Sequence, residues 1–468
     1  MRVTNIFLLT ALLFISIDAK ADSKIKYYFN YPVDNSVYSG TNAIYLNHTL
    51  ADTIVAYINR SKYSIDIAQY DYNQSSSYAD ISVAINNAYS RGVKVRWIYD
   101  GSSSNTGIAL LNAGIHTLAS PTSSAYNIMH DKIVIVDANS TNPDDAYVLT
   151  GSADWSISQF DYDYNNEIIF QDSALAHAYT AEFNMMWGDT GITPNSSLSK
   201  FGQYKTDLGR HNFTIDGKQV ELYFSPSDGT DTHIQSAIAS ANTDLYLAMY
   251  TFTDNADANA IVSRHTNGIY VAAIIDQFSN TYSSYSTLSS AIGSNLIEYT
   301  GSEIYHNKYL IVDPSDVCSD PQVLTGSHNW SISANTKNDE NTVIVHDATA
   351  ANIYYQAFHK DFTSLGGTFS SVSSPCPAAV TDVVSEQLAI SVVPNPSTGD
   401  FTLTYSLPSE QHSDITLLGI DGKVYGQEVS AVQQKGSHSQ LFCGLSAGIY
   451  LVRVVTEGGV YTSKIVVE

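Results

Sequence analysis

The amino-acid sequence predicts an α/β protein built from two pseudo-symmetric α-β-α sandwich repeats, with an all-β sandwich domain at the C-terminus. Three observations lead there. The segment His130-Asp131-Lys132-Ile133-Val134-Ile135-Val136-Asp137 returns as His306-Asn307-Lys308-Tyr309-Leu310-Ile311-Val312-Asp313, so the pattern His-x-Lys-x4-Asp occurs twice. Each copy is followed by Thr-Gly-Ser, at Thr150-Gly151-Ser152 and Thr325-Gly326-Ser327, and then by Trp-Ser-Ile-Ser, starting at Trp155 and Trp330. The histidines lie 176 positions apart and the glycines 175, which marks an internal duplication. Finally, strand and helix periodicities alternate through the duplicated region, whereas the last 80 or so residues carry strand patterns and turns alone.

The elements follow in order. Residues 24–30 contain the strand-like run Tyr27-Tyr28-Phe29. Leu50, Ile54, Tyr57 and Ile58 keep a helical rhythm, residues 63–70 alternate as a strand, and Ile81, Ala84, Ile85 and Ala88 predict a second helix stopped by Gly92. Residues 93–100 form a strand ending in Asp100, and the motif strand (133–137) and a partner strand (147–150) come next. The second half repeats the sequence of elements: a strand at 222–224, a helix on Ile234 and Ile238, strands at 245–252 and 269–276, the latter ending in Asp276. Each half closes with a helix, containing Phe183 in one and Phe358 in the other. Strands separated by helices imply a largely parallel or mixed sheet between helical layers. The expected divisions are a signal peptide at 1–21, repeats at 22–190 and 191–369, a Ser/Pro/Val/Ala linker at 370–387, and a β-sandwich at 388–468, with a hairpin turn at Ile420-Asp421-Gly422-Lys423.

Composition bounds the function. The chain has 468 residues, 44% of them hydrophobic, and a formal net charge of -24 with no cluster of Lys and Arg. Such a surface repels polyanions unless a local cleft overrides it. Arg2, the apolar run from Ile6 to Ile17, and Ala19-Lys20-Ala21 read as a cleavable secretion signal, too short for a permanent anchor. Of three cysteines, Cys318 and Cys376 are the expected disulfide pair, against a reading with three free thiols; Cys443 is the third. No cysteine spacing resembles a zinc site.

The paired motif carries the chemistry. Residues two apart in a strand share a face, so His130 and Lys132 point into one site, as do His306 and Lys308. Histidine serves as nucleophile or as acid and base near neutral pH, and lysine supplies fixed positive charge for an anion such as phosphate. One such pair occurs by chance; two with the same downstream Gly-Ser need a reason.

These residues resemble the phospholipase D superfamily, over roughly 25–368. Its signature continues with Gly-Ser-x-Asn and a later glutamate. In the second half the match runs through His306, Lys308, Asp313, Gly326, Ser327, Asn329 and Glu340; in the first, through His130, Lys132, Asp137, Gly151, Ser152 and Glu167. The resemblance implies that both repeats share one active site. One histidine attacks phosphorus to give a phosphohistidine, the other protonates the leaving oxygen and then activates water. Lys132, Lys308 and Asn329, with Ser152 and Ser327, would hold phosphate oxygens. Glu167 and Glu340 would each orient a histidine. Asp137 and Asp313 are expected to be mainly structural. His130 is the expected nucleophile. No metal or other cofactor is expected. One departure is Asp154, where the family has Asn; it is expected to face solvent or pair with a lysine rather than confront the phosphate.

The tail resembles the type A sorting domain of the type IX secretion system of Bacteroidota, through Val393-Pro394-Asn395-Pro396-Ser397-Thr398-Gly399, the run from Ala447 to Val454, and Lys464-Ile465-Val466-Val467-Glu468. It implies export across the outer membrane and the secretion machinery as a partner. The leading functional expectation is a secreted, monomeric phospholipase D-type phosphodiesterase that meets a membrane surface without a transmembrane anchor. The alternatives are a non-specific endonuclease using the same residues, and a catalytically inactive adhesin or binding protein.

Overall fold

The structure, a computed structural model, describes residues 23–37, 39–73, 80–123, 126–370, 390–419, 424–456 and 459–468. The signal segment, Cys376, nearly all of the linker and the turn at 420–423 lie outside the described residues. Cys318 is disulfide-bonded, and Cys443 is a free, exposed thiol.

The described residues fall in two compact units, one on either side of the linker. The first contains two eight-stranded mixed sheets whose topologies match in seven strands and differ at one edge, where the outer strand runs parallel to its neighbour in one sheet and antiparallel in the other. In one, the order is Ile44–Tyr45, Ile25–Phe29, Asn166–Phe170, Tyr147–Gly151, Lys132–Val136, Ser64–Gln69, Lys94–Tyr99, His116–Ala119; in the other, Asn212–Ile215, Lys218–Ser225, Glu340–His346, Gln322–Gly326, Lys308–Val312, Asp244–Met249, Tyr270–Asp276, Leu296–Tyr299. Each motif strand sits in the middle of its sheet, antiparallel to both neighbours. All five residues of Lys132–Val136 and of Lys308–Val312 are buried, and only their first residue is charged. That is the burial a central strand between helix layers requires.

The two sheets share one core. Ile133, Ile135, Val148 and Ile168 join the last helix of the first half (Ser173–Trp187, with Phe183 and Trp187) to Tyr309, Ile311, Val343 and the last helix of the second (Ala348–Ser364, with Tyr354, Phe358 and Phe362). The outer faces pack separately. Helices Leu50–Arg60 and Asp80–Ser90 cover one sheet, and Thr230–Ser240, Asn255–Thr266 and Ser283–Ile292 cover the other. Polar pairs cross the interface symmetrically: Thr150 Oγ1 donates to Asn341 Oδ1 (2.7 Å), and Asn166 Nδ2 donates to Thr325 Oγ1 (2.8 Å).

The second unit has two antiparallel sheets, Ser391–Val393, Phe401–Leu407, Gly436–Phe442 and Val424–Gln433, Gln411–Gly419, Gly448–Thr456, Gly459–Val467. Phe401, Leu403, Tyr405, Ile415, Leu417, Val452, Val454 and Ile465 point inward at every second position, the alternation of a sandwich. No helix among the described residues is long and apolar enough to cross a membrane.

Candidate active site

His130 and His306 immediately precede the strands that begin at Lys132 and Lys308, at the edge where the two sheets meet. Their backbone is held there by matching carboxylates. Asp100 Oδ2 accepts from Met129 N (2.8 Å), and Asp276 Oδ2 accepts from Tyr305 N (3.0 Å). Each lysine turns back on its own histidine: Lys132 Nζ donates to His130 O (3.1 Å), Lys308 Nζ to His306 O (2.8 Å). A tyrosine ring flanks each pair. Tyr70 lies 4.9 Å from the His130 ring and 5.2 Å from Lys132 Nζ; Tyr250 lies 5.0 Å from His306 and 5.4 Å from Lys308 Nζ. Both ammonium groups thus gain a ring quadrupole in place of part of their water.

Each histidine is oriented by the opposite half. His130 Nδ1 meets Glu340 Oε2 at 2.7 Å. The other oxygen of Glu340 accepts from Asn338 Nδ2 (2.9 Å), and Ser327 Oγ donates to Oε2 (2.8 Å). Burial opposes the charge on Glu340, but the attraction of His130 and the hydrogen bond to it prevail and hold the carboxyl at about 2. His306 Nδ1 meets Asn165 Oδ1 at 3.1 Å, an oxygen to which Ser152 Oγ also donates (2.9 Å). The Asn165 amide hydrogens go to Gln159, which fixes its oxygen toward the ring. Because the amide oxygen accepts, the His306 proton sits on Nδ1, and Nε2 is left to face the site. Burial, then the charges of Lys308 and Lys132, hold His306 well below the ordinary histidine range. Burial and Lys132 likewise lower Lys308.

Two sequence expectations are corrected here. Glu167 is not the partner of His306; Asn165 is. Past the glycines the duplication offset is 175, so Asn165 corresponds to Glu340 and Glu167 to Thr342, as the strand registers opposite Gly151 and Gly326 show. The Glu167 carboxyl is pushed up to about 8 by burial. Ser152 and Ser327 are fully buried and hold Asn165 and Glu340, rather than standing open to a phosphate. They reach that depth because the preceding glycines let the strands close: a Cβ on Gly151 would lie 2.2 Å from Asn166 O, and one on Gly326 2.3 Å from Asn341 O. Of the two places expected for Asp154, solvent or a lysine partner, it takes the second, and it does so inside the site. It ion-pairs with Lys132 (2.9 Å), and its other oxygen lies 3.8 Å from His306 Nε2. One carboxylate thus touches a lysine of the first half and a histidine of the second. Its equivalent Asn329 accepts from Thr251 N at 3.3 Å through Oδ1, which leaves its NH2 to donate.

Asp137 and Asp313 lie at the far ends of the motif strands, and both have positive φ, 52° and 50°. Asp137 accepts from Lys62 N, Tyr63 N and Ser64 N, and Asp313 from Asn242 N, Thr243 N and Asp244 N, at 2.7–3.1 Å. Each ties the turn before the neighbouring strand. Lys205, to which the sequence gave no signal, is buried between the halves, 2.6 Å from Glu182 and 3.0 Å from Asp339.

Fold and site together define a class: a doubled α/β protein in which both halves contribute one imidazole and one ammonium to a single composite centre. Residues 54–187 and 234–362, more than half of the chain, match the family described as cardiolipin synthase, PLD-like domain, and the chain belongs to that family. Residues 391–468 match a secretion system C-terminal sorting domain, the kind that directs export to the cell surface or beyond. The chain is 28% identical over 142 residues to a phospholipase D of Rickettsia bellii, a match covering 30% of this chain and 66% of that protein. It is 31% identical over 162 residues to a mitochondrial cardiolipin hydrolase of Drosophila melanogaster, covering 31% and 61%. The chain thus spans just under two thirds of the length of these relatives. Among solved structures, the phosphatidylserine synthase of Haemophilus influenzae shares the fold, with a TM-score of 0.50 at 13% identity over 75% of this chain and 87% of that one.

Proposed function

We propose that the protein is an exported phosphodiesterase that removes head groups from phospholipids by way of a phosphohistidine on His130. The observation that carries this is the crossed and unequal support of the histidines, Glu340 on His130 and Asn165 on His306. Attack by His130 Nε2 on phosphorus builds positive charge on that ring, which the Glu340 carboxylate stabilises. His306, backed only by a neutral amide, is the weaker base and the better proton donor. Burial and, after it, the ammonium charges keep His306 neutral; the arriving phosphodiester anion offsets those charges, so the ring takes up a proton as substrate binds. It passes that proton to the leaving alcohol oxygen as the P–O bond breaks. It then removes a proton from water, whose oxygen attacks phosphorus; the P–N bond breaks and phosphatidate leaves. Lys132, Lys308 and Asn329 balance the equatorial oxygens. The imidazoles and ammonium groups supply charge and proton transfer themselves, so the chemistry needs no metal.

A lipid ester is favoured by what flanks His306. Phe278 stacks on Tyr250 at 5.4 Å and Tyr282 follows at 6.4 Å from Phe278, with Phe278 51% and Tyr282 42% exposed. An apolar ramp beside the site, on a chain of net charge -24, suits an acyl boundary better than a polyanion. The proposed route outward is an N-terminal signal for the inner membrane and the sorting domain for the outer. The test offers the purified protein phosphatidylcholine vesicles, cardiolipin and plasmid DNA side by side, with chelator and no added metal. Head-group release from lipid supports the reading. Nicking of the plasmid without lipid turnover replaces it with a nuclease, and no turnover of any of the three replaces it with a binding protein.

A further inference from the structure

The segment that joins the two halves reaches back into the interface between them. Its short helix Gly202–Tyr204 and the next residue, Lys205, lie across two stretches of chain that meet at His130. The Tyr204 ring packs on Tyr126 at 5.3 Å, in the stretch that leads to His130. Gly202 N donates to Asp339 Oδ1 (2.7 Å), and Lys205 Nζ lies 3.0 Å from that same oxygen and 2.6 Å from Glu182 Oε1. Asp131 completes the group, and all four side chains are buried. Burial works against the Lys205 ammonium, but the charges of Asp339, Glu182 and Asp131 outweigh it and hold the proton on. Burial pushes Asp131 up to about 8, and Asn341 Nδ2 donates to its Oδ1 (3.2 Å).

Asp339 in turn holds the backbone of His130. His130 N donates to Asp339 O (2.8 Å), and Asp339 N donates to Ile128 O (3.0 Å). Asp339 precedes Glu340 and Asp131 follows His130, so both residues of the 2.7 Å contact have a chain neighbour in the buried group. The second half-site is built otherwise. At the 175 offset Tyr164 stands where Asp339 stands, and its N donates to Ile304 O (2.9 Å). Its ring packs against Tyr31, Tyr299 and Tyr305. Asn307, the counterpart of Asp131, donates through Nδ2 to Tyr31 Oη (3.0 Å). Aromatic packing there takes the place of ion pairs.

Stability does not explain this difference. Apolar side chains of similar volume commonly hold an interface at least as well as a buried ion group, whose desolvation cancels most of its attraction. What the ion group adds is a defined geometry, short contacts from one ammonium to chain segments distant in sequence. We propose that Lys205 is a positioning residue for His130: through Asp339 it fixes the stretches that carry His130 and Glu340, and hence the contact between them. The proposal rests on the reading of His130 as the nucleophile. Displacing that contact would weaken the hold of Glu340 on the cationic phosphoimidazole and leave Lys132 and Lys308 to bind phosphate, so the loss falls on kcat.

The test uses the full chain carrying Lys205→Met or Asp339→Asn, each alone and combined with Glu340→Gln. Asp339→Asn keeps an acceptor for Gly202 N and leaves Lys205 with Glu182, so it covers the case in which Lys205→Met fails to fold. A soluble chromogenic phosphodiester gives kcat and KM for the folded fraction. Each substitution should lower kcat about tenfold, with KM changed less than about twofold. In the Glu340→Gln background the same substitution should change kcat less than about twofold, since the contact it guards is already gone. An unchanged kcat, or an equal loss in both backgrounds, overturns the proposal and leaves Lys205 a purely structural residue. Proton NMR gives a second readout that needs no substrate. The His130 Nδ1 proton, deshielded by Glu340 and identified by its loss in Glu340→Gln, should shift or broaden in both variants. If it does so in a protein that turns over no phosphodiester, the positioning stands and the assigned activity falls; if it stays in place, the positioning falls whatever the activity.

Discussion

Replacing Glu340 by Gln tests the division of labour between the histidines most sharply. The substitution keeps shape and leaves Ser327 and Asn338 able to hold the side chain. What it removes is the charge facing His130 Nδ1 at 2.7 Å in a site closed to water. The Glu340 carboxyl titrates at about 2 instead of its ordinary 4.5. At about 1.36 kcal/mol for each tenfold change, its surroundings favour the charged form by on the order of 3 kcal/mol. Attack by His130 turns a neutral ring into a cationic phosphoimidazole, and most of that preference is felt there. The expected loss is therefore about 100-fold in kcat with little change in KM, since the ground-state phosphate is held by lysines instead. A soluble chromogenic phosphodiester, followed under saturation and in single turnover, reads both constants. A kcat within threefold of the unsubstituted enzyme, or a loss confined to KM, would refute the reasoning.

Asp154→Asn should release Lys132 from its ion pair and lower KM severalfold, because a carboxylate no longer competes with phosphate for the ammonium; an unchanged or higher KM contradicts this. Lys205→Met should lower stability by about 3–5 kcal/mol in denaturant melts, since it leaves Glu182 and Asp339 buried without their cation; an unaltered midpoint contradicts it. Glu167→Gln should leave kcat intact and remove a pH dependence of stability. The folded Glu167 keeps its proton up to about 8, whereas the unfolded one releases it above 4.5. Folded protein thus binds more protons in that window, and the native chain loses stability through it as pH rises. The variant should gain on the native chain by on the order of 4 kcal/mol between pH 5 and pH 8; a constant difference contradicts the burial argument.

Much of this was legible in the sequence for identifiable reasons. The motif strands are central and buried on both faces, so their apolar runs read clearly, and the alternation that puts His and Lys on one face is a property of any strand. The duplication supplied the two-sheet plan. Polar partners were harder. The offset changes from 176 to 175 between the histidines and the glycines, and following 175 onward pairs Glu340 with Asn165. The chemical resemblance of two glutamates pointed instead to Glu167, two residues along on the same strand. Ser152 and Ser327 look like phosphate ligands until strand closure over Gly151 and Gly326 is known. Lys205 lies in a joining segment without periodicity, and its three acidic neighbours, Glu182, Asp339 and Asp131, come from distant positions, so only the packed halves bring them together.

The central claim is that two imidazoles act on one phosphorus atom in different roles. Its most direct test is peptide mass spectrometry of enzyme quenched under alkaline denaturing conditions, which preserve the P–N bond, in a His306→Asn background given phosphatidyl-p-nitrophenol, whose leaving group needs no proton, so that the intermediate forms but its hydrolysis is blocked. The expected result is a near-stoichiometric phosphatidyl adduct on His130. An adduct recovered on His306 in the unsubstituted enzyme, or substrate turnover with neither residue ever labelled, would contradict the claim.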